Sequence, residues 1–398
     1  MRRINLKRAN VARQSTVRNI NRQIVLNMIR EGEPISRSEI AQKTALHRAT
    51  ISLITDELLG SGLVEEVGSG ESTGGRPPIM LRVRAEGPVA LGVDVGTART
   101  VVAMSDLAGR VLKQEEFATS PNPSVTLDDI VASVRRLVGK NRGDIEGVGV
   151  SLPGLVDFET SSSLYIPHFK WRDWPVAREI EAAAGLPVAV DNDANAVALA
   201  ELWFGRPEVR DVRDFIMVLV AEGIGTGIVF DGQVYRGERG AAGEFGHMIV
   251  GQDAPIACAA GSRRCWEAFA SERAILGRYE TLSRGATPPG SVTFAQLLDR
   301  ALAGECPART ALKEAATYLG VGISNLIIGL SPEAIIIGGQ IVRAWPLLVG
   351  EIHKVVEENC CPIRTPVRII PSTLGEQPKL MGALSLILAG KFGLVHAG

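Results

Sequence analysis

The stretch Asp191-Asn192-Asp193-Ala194-Asn195-Ala196 places two acids and two amides directly after the apolar run Leu186-Pro187-Val188-Ala189-Val190. Sugar hydroxyls both donate and accept hydrogen bonds, so carboxylates and carboxamides held at the end of a strand suit a polyol ligand. One of the acids could also draw a proton from a sugar hydroxyl as a general base. Further along, Glu244 and His247 stand three residues apart within Gly240–His247, and Cys258 and Cys265 follow in a short loop that ends at Trp266-Glu267. Metal binding is the question to ask of these two cysteines. The turn Gly223-Ile224-Gly225-Thr226-Gly227 can expose backbone amides to a phosphate, or simply close a tight hairpin.

Strands and helices alternate around these groups. Val89–Gly96 reads as a buried strand that delivers Asp94, with a hairpin continuing through Thr100–Met104 and Ala108–Leu112, a helix near Val125–Leu137 and a strand at Gly147–Ser151. The acid and amide cluster ends a further strand and leads into a helix over Ala196–Trp203, and Phe215–Val220 pairs across the glycine turn with Gly223–Phe230. This alternation predicts an α/β body.

The N-terminal segment has a different character. Apolar residues fall on one stripe of a helix between Asn19 and Glu31. Ser36 and Glu39 form a capping box for a short second helix, and a turn at Ala45-Leu46-His47 opens a third over Arg48–Leu59, with Ile51, Ile54, Leu58 and Leu59 inward. Strands at Leu63–Val67 and Ile79–Val83 complete a winged helix-turn-helix. Its third helix would bring Arg48, Thr50 and Ser52 to base edges or phosphates in the major groove. Between the wing strands, Gly75-Arg76-Pro77-Pro78 sets one arginine on a narrow, stiff backbone suited to an A·T-rich minor groove.

Charge supports that division. Residues 1–84 hold 14 Lys and Arg against 8 Asp and Glu in a chain whose net charge is −1, and the first 30 residues carry eight basic groups and no acid. Such a block is drawn to polyanions by counterion release, which points to nucleic acid. The N-terminus lacks the apolar core of a signal peptide and no apolar run is long enough to span a bilayer, so a cytoplasmic protein is expected. Five cysteines, two of them adjacent at Cys360 and Cys361, argue against a disulfide framework.

These motifs together resemble the ROK family, the repressors and sugar kinases that share an actin-like ATPase fold, and the resemblance runs over essentially the whole chain. It is carried by Asp191–Ala196, Gly243-Glu244-Phe245-Gly246-His247, the cysteine loop ending at Glu267, and Ile335-Ile336-Ile337-Gly338-Gly339. The resemblance implies a two-lobed body behind the winged head: residues 1–82 as the DNA-binding domain, 83–195 with 380–398 as a first lobe, and 196–379 as a second. It implies that Asn192, Asp193, Glu244, His247 and Glu267 contact a sugar, with Asp193 at the kinase base position, and that His168 replaces an asparagine usual in the family.

Three departures from the family pattern stand out. Asp94-Val95-Gly96-Thr97-Ala98-Arg99 has Thr97 and Ala98 where family kinases have Gly and Thr, and Glu222 puts a carboxylate just before the second glycine turn, where it would repel a triphosphate. Phosphoryl transfer depends on positioning and charge neutralisation, so both changes should cost it dearly. The family's zinc site takes one His and three Cys; here His247, Cys258 and Cys265 remain, but Ala260 stands at the middle cysteine. The expectation is a sugar-responsive regulator, a repressor of carbohydrate genes that binds an operator as a homodimer or tetramer and is not an enzyme. The competing expectation is an ATP-dependent sugar kinase with an added DNA-binding head.

Overall fold

The computed structural model describes residues 14–44, 46–70, 77–84, 90–139, 144–205, 212–283, 290–360 and 366–392. The head consists of α1 (Gln14–Gly32), β1 (Ile35–Ser36), α2 (Arg37–Thr44), α3 (Arg48–Gly60), β2 (Val64–Ser69) and β3 (Ile79–Val83). Its three strands run in the order β1-β3-β2, antiparallel throughout. The capping box forms: the Ser36 amide donates to Glu39 Oε2 at 2.8 Å, and the Glu39 amide donates to Ser36 Oγ at 3.3 Å. Ile51, Ile54 and Leu58 of α3 are buried against Val25, Leu26 and Ile29 of α1 and Ile40 of α2, while Leu59 is only partly buried. Arg76, offered above as a minor-groove contact, lies outside the described residues, as do five of the eight basic groups near the N-terminus.

Two five-stranded sheets build the body. The first holds β4 (Ala90–Val95), β5 (Arg99–Ser105), β6 (Val111–Ala118), β7 (Gly147–Leu152) and β11 (Val188–Asn192) in the order β11-β7-β4-β5-β6. The second holds β12 (Phe215–Val220), β13 (Ile224–Phe230), β14 (Gln233–Tyr235), β15 (Ala334–Gly338) and β16 (Arg368–Pro371) in the order β14-β13-β12-β15-β16. Each is an antiparallel three-strand meander extended by two parallel strands, so the two sheets share one topology. A small sheet of β8 (Leu155–Asp157), β9 (Ser162–Ile166) and β10 (Trp171–Trp174) sits beside the first.

Helices α4 (Pro123–Val138) and α5 (Val176–Ala184) pack with the first sheet in one core. Helices α7 (Trp266–Ala270), α8 (Glu272–Leu282), α9 (Phe294–Leu302), α10 (Cys306–Leu330) and α11 (Trp345–Asn359) gather with the second sheet in another. Two helices stand apart in role: α6 (Asp193–Phe204) packs on β12, β13 and α12 (Pro378–Phe392), and α12 packs on β4 and β7.

Among the element boundaries that shift, two have a clear local cause. The strand expected at Ala108–Leu112 begins only at Val111. Residues 106–110 are a turn: the Gly109 amide donates to the Asp106 carbonyl, Gly109 has φ +81, and Arg110 reaches back to the Asp106 carboxylate. The helix expected from Ala196 begins three residues earlier, because the Asn192 side chain accepts from the amides of Ala194 and Asn195 and caps it there. No helix among the described residues is long and apolar enough to cross a membrane.

Candidate functional site

The β11–α6 junction divides its polar residues between scaffold and cleft. Asp191 is buried and ion-paired with Arg236, whose Nε and second guanidinium nitrogen lie 2.9 and 2.8 Å from Oδ2, so this acid ties β11 to the segment after β14. Asn192 caps α6 with its oxygen and donates its amide nitrogen to the Gly154 carbonyl at 2.9 Å, leaving one edge toward the cleft. Asp193, now the first residue of a helix, accepts from the Ala194 amide with Oδ1 and turns Oδ2 into the cleft.

All six residues named from the sequence as sugar contacts, His168, Asn192, Asp193, Glu244, His247 and Glu267, line one cavity of about 170 Å³ between the two sheets. Glu244 and His247 come from a short 3₁₀ turn, their side chains 3.9 Å apart, and burial pushes the Glu244 carboxyl up from its ordinary value. Glu267 opens α7, and its Oε1 accepts from the Ala259 amide at 2.8 Å. Its other oxygen explains a glycine: a Cβ on Gly223 would stand 2.6 Å from Glu267 Oε2. Gly225 and Gly227 lie flat against Ala194 of α6, where Cβ atoms would come within 2.8 and 2.4 Å. Packing of β13 on α6 and room for Glu267 therefore account for all three glycines without a phosphate.

Thr97, Glu222 and Lys379 line the same cavity. Thr97 Oγ1 donates to Glu222 Oε1 at 3.2 Å, and Lys379, at the start of α12, places its ammonium 3.3 Å from both Glu222 Oε2 and Asp193 Oδ2. Burial alone lowers the pKa of a lysine, but Asp193, Glu222, Asp94 and Glu272 surround this one and hold it well above its ordinary value. Lys379 in turn holds Glu222 below the usual carboxylate range. Glu222 is thus not the bare repelling charge expected from the sequence. It is neutralised by Lys379, a residue that sequence reasoning missed because a lysine in the first turn of a helix ordinarily reads as solvated.

His247, Cys258 and Cys265 bring their donor atoms within 4.8 Å of one another. Both cysteines are buried, and burial pushes the Cys265 thiol up to about 12. Three converging donors of these types fit a zinc ion, whose usual four-ligand set would need one further donor. Cys258, Cys265, Cys306 and Cys360 are all free thiols.

On the head, the outer face of α3 presents Arg48, Ala49, Ser52 and Leu53, the last 71% exposed. Thr50 is half-buried and turned partly away from that face. Both acids of α3 are neutralised from within the head: Arg37 lies 3.1 Å from Asp56, and Arg18 lies 2.9 Å from Glu57 with Arg22 beside it.

The ROK family profile matches residues 90–389. The chain belongs to the ROK family. It is 30% identical over 383 residues to the xylose repressor of Bacillus spizizenii, covering 95% of this chain and 97% of that one. Among solved structures it is similar to a ROK family transcriptional regulator, a homologue of the E. coli MLC protein (TM-score 0.77, 27% identity, 95% of this chain and 97% of that one). It also resembles the ROK family glucokinase of Streptomyces griseus in complex with glucose and AMPPNP (TM-score 0.68, 29% identity, 76% of this chain and 99% of that one). The ROK body is accordingly a mixed α/β, two-lobed actin-like ATPase fold. Thr97 and Glu222, the two residues expected from the sequence to disfavour a triphosphate, are hydrogen-bonded to each other.

Proposed function

We propose that this ROK protein is a sugar-responsive DNA-binding transcriptional regulator, a repressor of carbohydrate genes, and that it does not phosphorylate its ligand. The observation that carries this reading is the Thr97–Glu222–Lys379–Asp193 cluster. Lys379 bridges Asp193 and Glu222 within the cleft, and its charge holds the Asp193 carboxylate that would otherwise take the proton of a sugar hydroxyl as it attacks a phosphoryl group. The cavity of about 170 Å³ is smaller than the roughly 300–1,000 Å³ of drug-sized sites, a volume on the scale of a monosaccharide. His168, Asn192, Asp193, Glu244, His247 and Glu267 bind the sugar in this reading, and Arg48, Ser52, Thr50 and the minor-groove Arg76 bind the operator.

The relatives support the DNA-binding half, since they are named a xylose repressor and a DNA-binding transcriptional dual regulator. In this reading residues 1–82 form the operator-binding domain, 83–195 with 380–398 the first lobe and 196–379 the second. The protein works in the cytoplasm as a homodimer or tetramer, its paired heads matching half-sites about one helical turn or a multiple apart. His247, Cys258 and Cys265 would hold zinc, which supplies a structural tie between the turn of His247 and the cysteine loop and so orients the imidazole.

The test pairs two assays on the full chain. A coupled ATP assay with D-xylose, D-glucose and N-acetyl-D-glucosamine is expected to stay at background. Competition binding on a duplex selected from a random pool is expected to show sequence preference that one of these sugars alters. ATP-dependent turnover of any sugar favours the kinase reading, and a protein without sequence preference sinks the regulator.

A further inference from the structure

Helices α6 and α12 both begin in the cleft and both reach the head. Asp193 opens α6, whose far end carries Trp203 beneath the Arg30 guanidinium of α1, 5.2 Å from the ring centre. Lys379 lies in the first turn of α12, and Leu380, Leu384 and Leu388, one stripe of that helix, are buried in the same core as Val25, Leu26 and Ile29 of α1. At about 1.5 Å per residue, α12 spans about 22 Å.

Neither helix has slack against its support. A Cβ on Gly149 of β7 would meet the Ala383 carbonyl at 1.8 Å, and a Cβ on Gly382 would stand 2.8 Å from the Ala196 backbone of α6. Close-packed contacts of this kind transmit a shift instead of absorbing it.

Resting on the sugar-responsive reading, we propose that Lys379 is the positioning residue that couples the cleft to the head: a ligand hydroxyl bonded to Asp193 takes that carboxylate from the ammonium, the first turn of α12 moves, and the Leu380–Leu384–Leu388 stripe repacks against α1. Glu222, 3.3 Å from the ammonium, remains its partner when Asp193 turns to the ligand. The cation is therefore not left as an unpaired buried charge. Cleft and head then share one two-state element, which is the physical requirement for coupling between separate sites.

The experiment measures coupling in both directions on the full chain, using D-xylose, D-glucose and N-acetyl-D-glucosamine and a duplex selected by the wild type from a random pool. In the wild type the effective sugar changes DNA affinity by ~10-fold, and DNA changes sugar affinity by the same factor, as linkage demands. The double variant Lys379→Met with Glu222→Gln removes one charge of each sign. It is expected to bind the duplex within ~3-fold of wild type without sugar and to bind sugar at least as tightly, while both coupling ratios fall below ~2. Equal coupling in variant and wild type overturns the proposal, and weaker sugar binding does so too, because Lys379 would then be a ligand contact.

Hydrogen exchange on the wild type keeps the test independent of whether the variant folds: sugar should alter exchange in both α12 and residues 24–30 of α1, and an unchanged α1 overturns the coupling. A wild type whose DNA affinity responds to none of the sugars sinks the sugar-responsive reading, and this proposal with it.

Discussion

Asp191 and Asp193 differ by two positions and by everything that matters chemically. Asp193→Asn should weaken sugar binding by about 10-fold, the loss of one charge-assisted hydrogen bond, read by calorimetry, and should also lower the melting temperature, because Lys379 loses one of its two close carboxylates. Asp191→Asn should act on stability alone. It leaves Arg236, 21% exposed, beside a neutral partner, and should cost about 2 kcal/mol of stability while sugar affinity in the surviving folded protein changes little; urea denaturation with calorimetry separates the two. On the head, Arg48→Ala should weaken binding to all duplexes and lower the slope of log affinity against log salt by about one if it contacts a phosphate, or relax the preference at one base position if it reads a base edge. Salt titration against a set of single-substituted duplexes distinguishes the outcomes.

At the scale of elements, turns and loops carry most of the site. The 3₁₀ turn holding His247 and the loop holding Cys258 and Cys265 are joined by the three-donor group and by the β-bridge between Ile249 and Cys265. Ala260→Cys should restore a closed tetrahedral set and raise zinc retention against a chelator by about 10-fold or more; equal zinc loss from variant and wild type would show that residue 260 does not face the ion. Legibility was uneven at this scale. The capping box at Ser36 and Glu39, the α3 core positions and the β3 boundaries were readable, because caps and periodicity are local. The start of α6 was misplaced by three residues, because Asn192 looked like a ligand and is also the cap. The glycines of the β12–β13 turn left phosphate binding and a tight hairpin both open, because their neighbours Glu267 and Ala194 are supplied by distant segments.

The whole molecule adds a charge problem that no single segment reveals. Burial pushes Asp94 up to about 7 and Glu272 up to about 8, with the Glu222 charge adding to the latter. A raised carboxyl keeps its proton in the folded state after the unfolded chain has lost it, so its contribution to stability is full below the unfolded pKa and disappears as pH rises through the folded value. Glu39, Glu115 and Glu222 are shifted downward and contribute in the opposite sense, but their effect is complete above about pH 5. The melting temperature should therefore fall between about pH 5.5 and pH 8. Asp94→Asn, which cannot ionise, should flatten the lower part of that decline, and an unchanged slope would place the proton elsewhere.

The sequence by itself determined the winged head and the α/β body, because hydrophobic period and capping residues act over a few neighbours, and its resemblance to the ROK family named six residues that line the cleft. It could also say that Thr97 and Glu222 were unusual. Only the tertiary structure decided that they are bonded to each other and that Lys379, 157 residues along the chain from Glu222, neutralises the acid. The reason is physical: a buried charge is defined by the groups that fold around it, and distant parts of the chain must close before Asp193 and Glu222 can hold one ammonium.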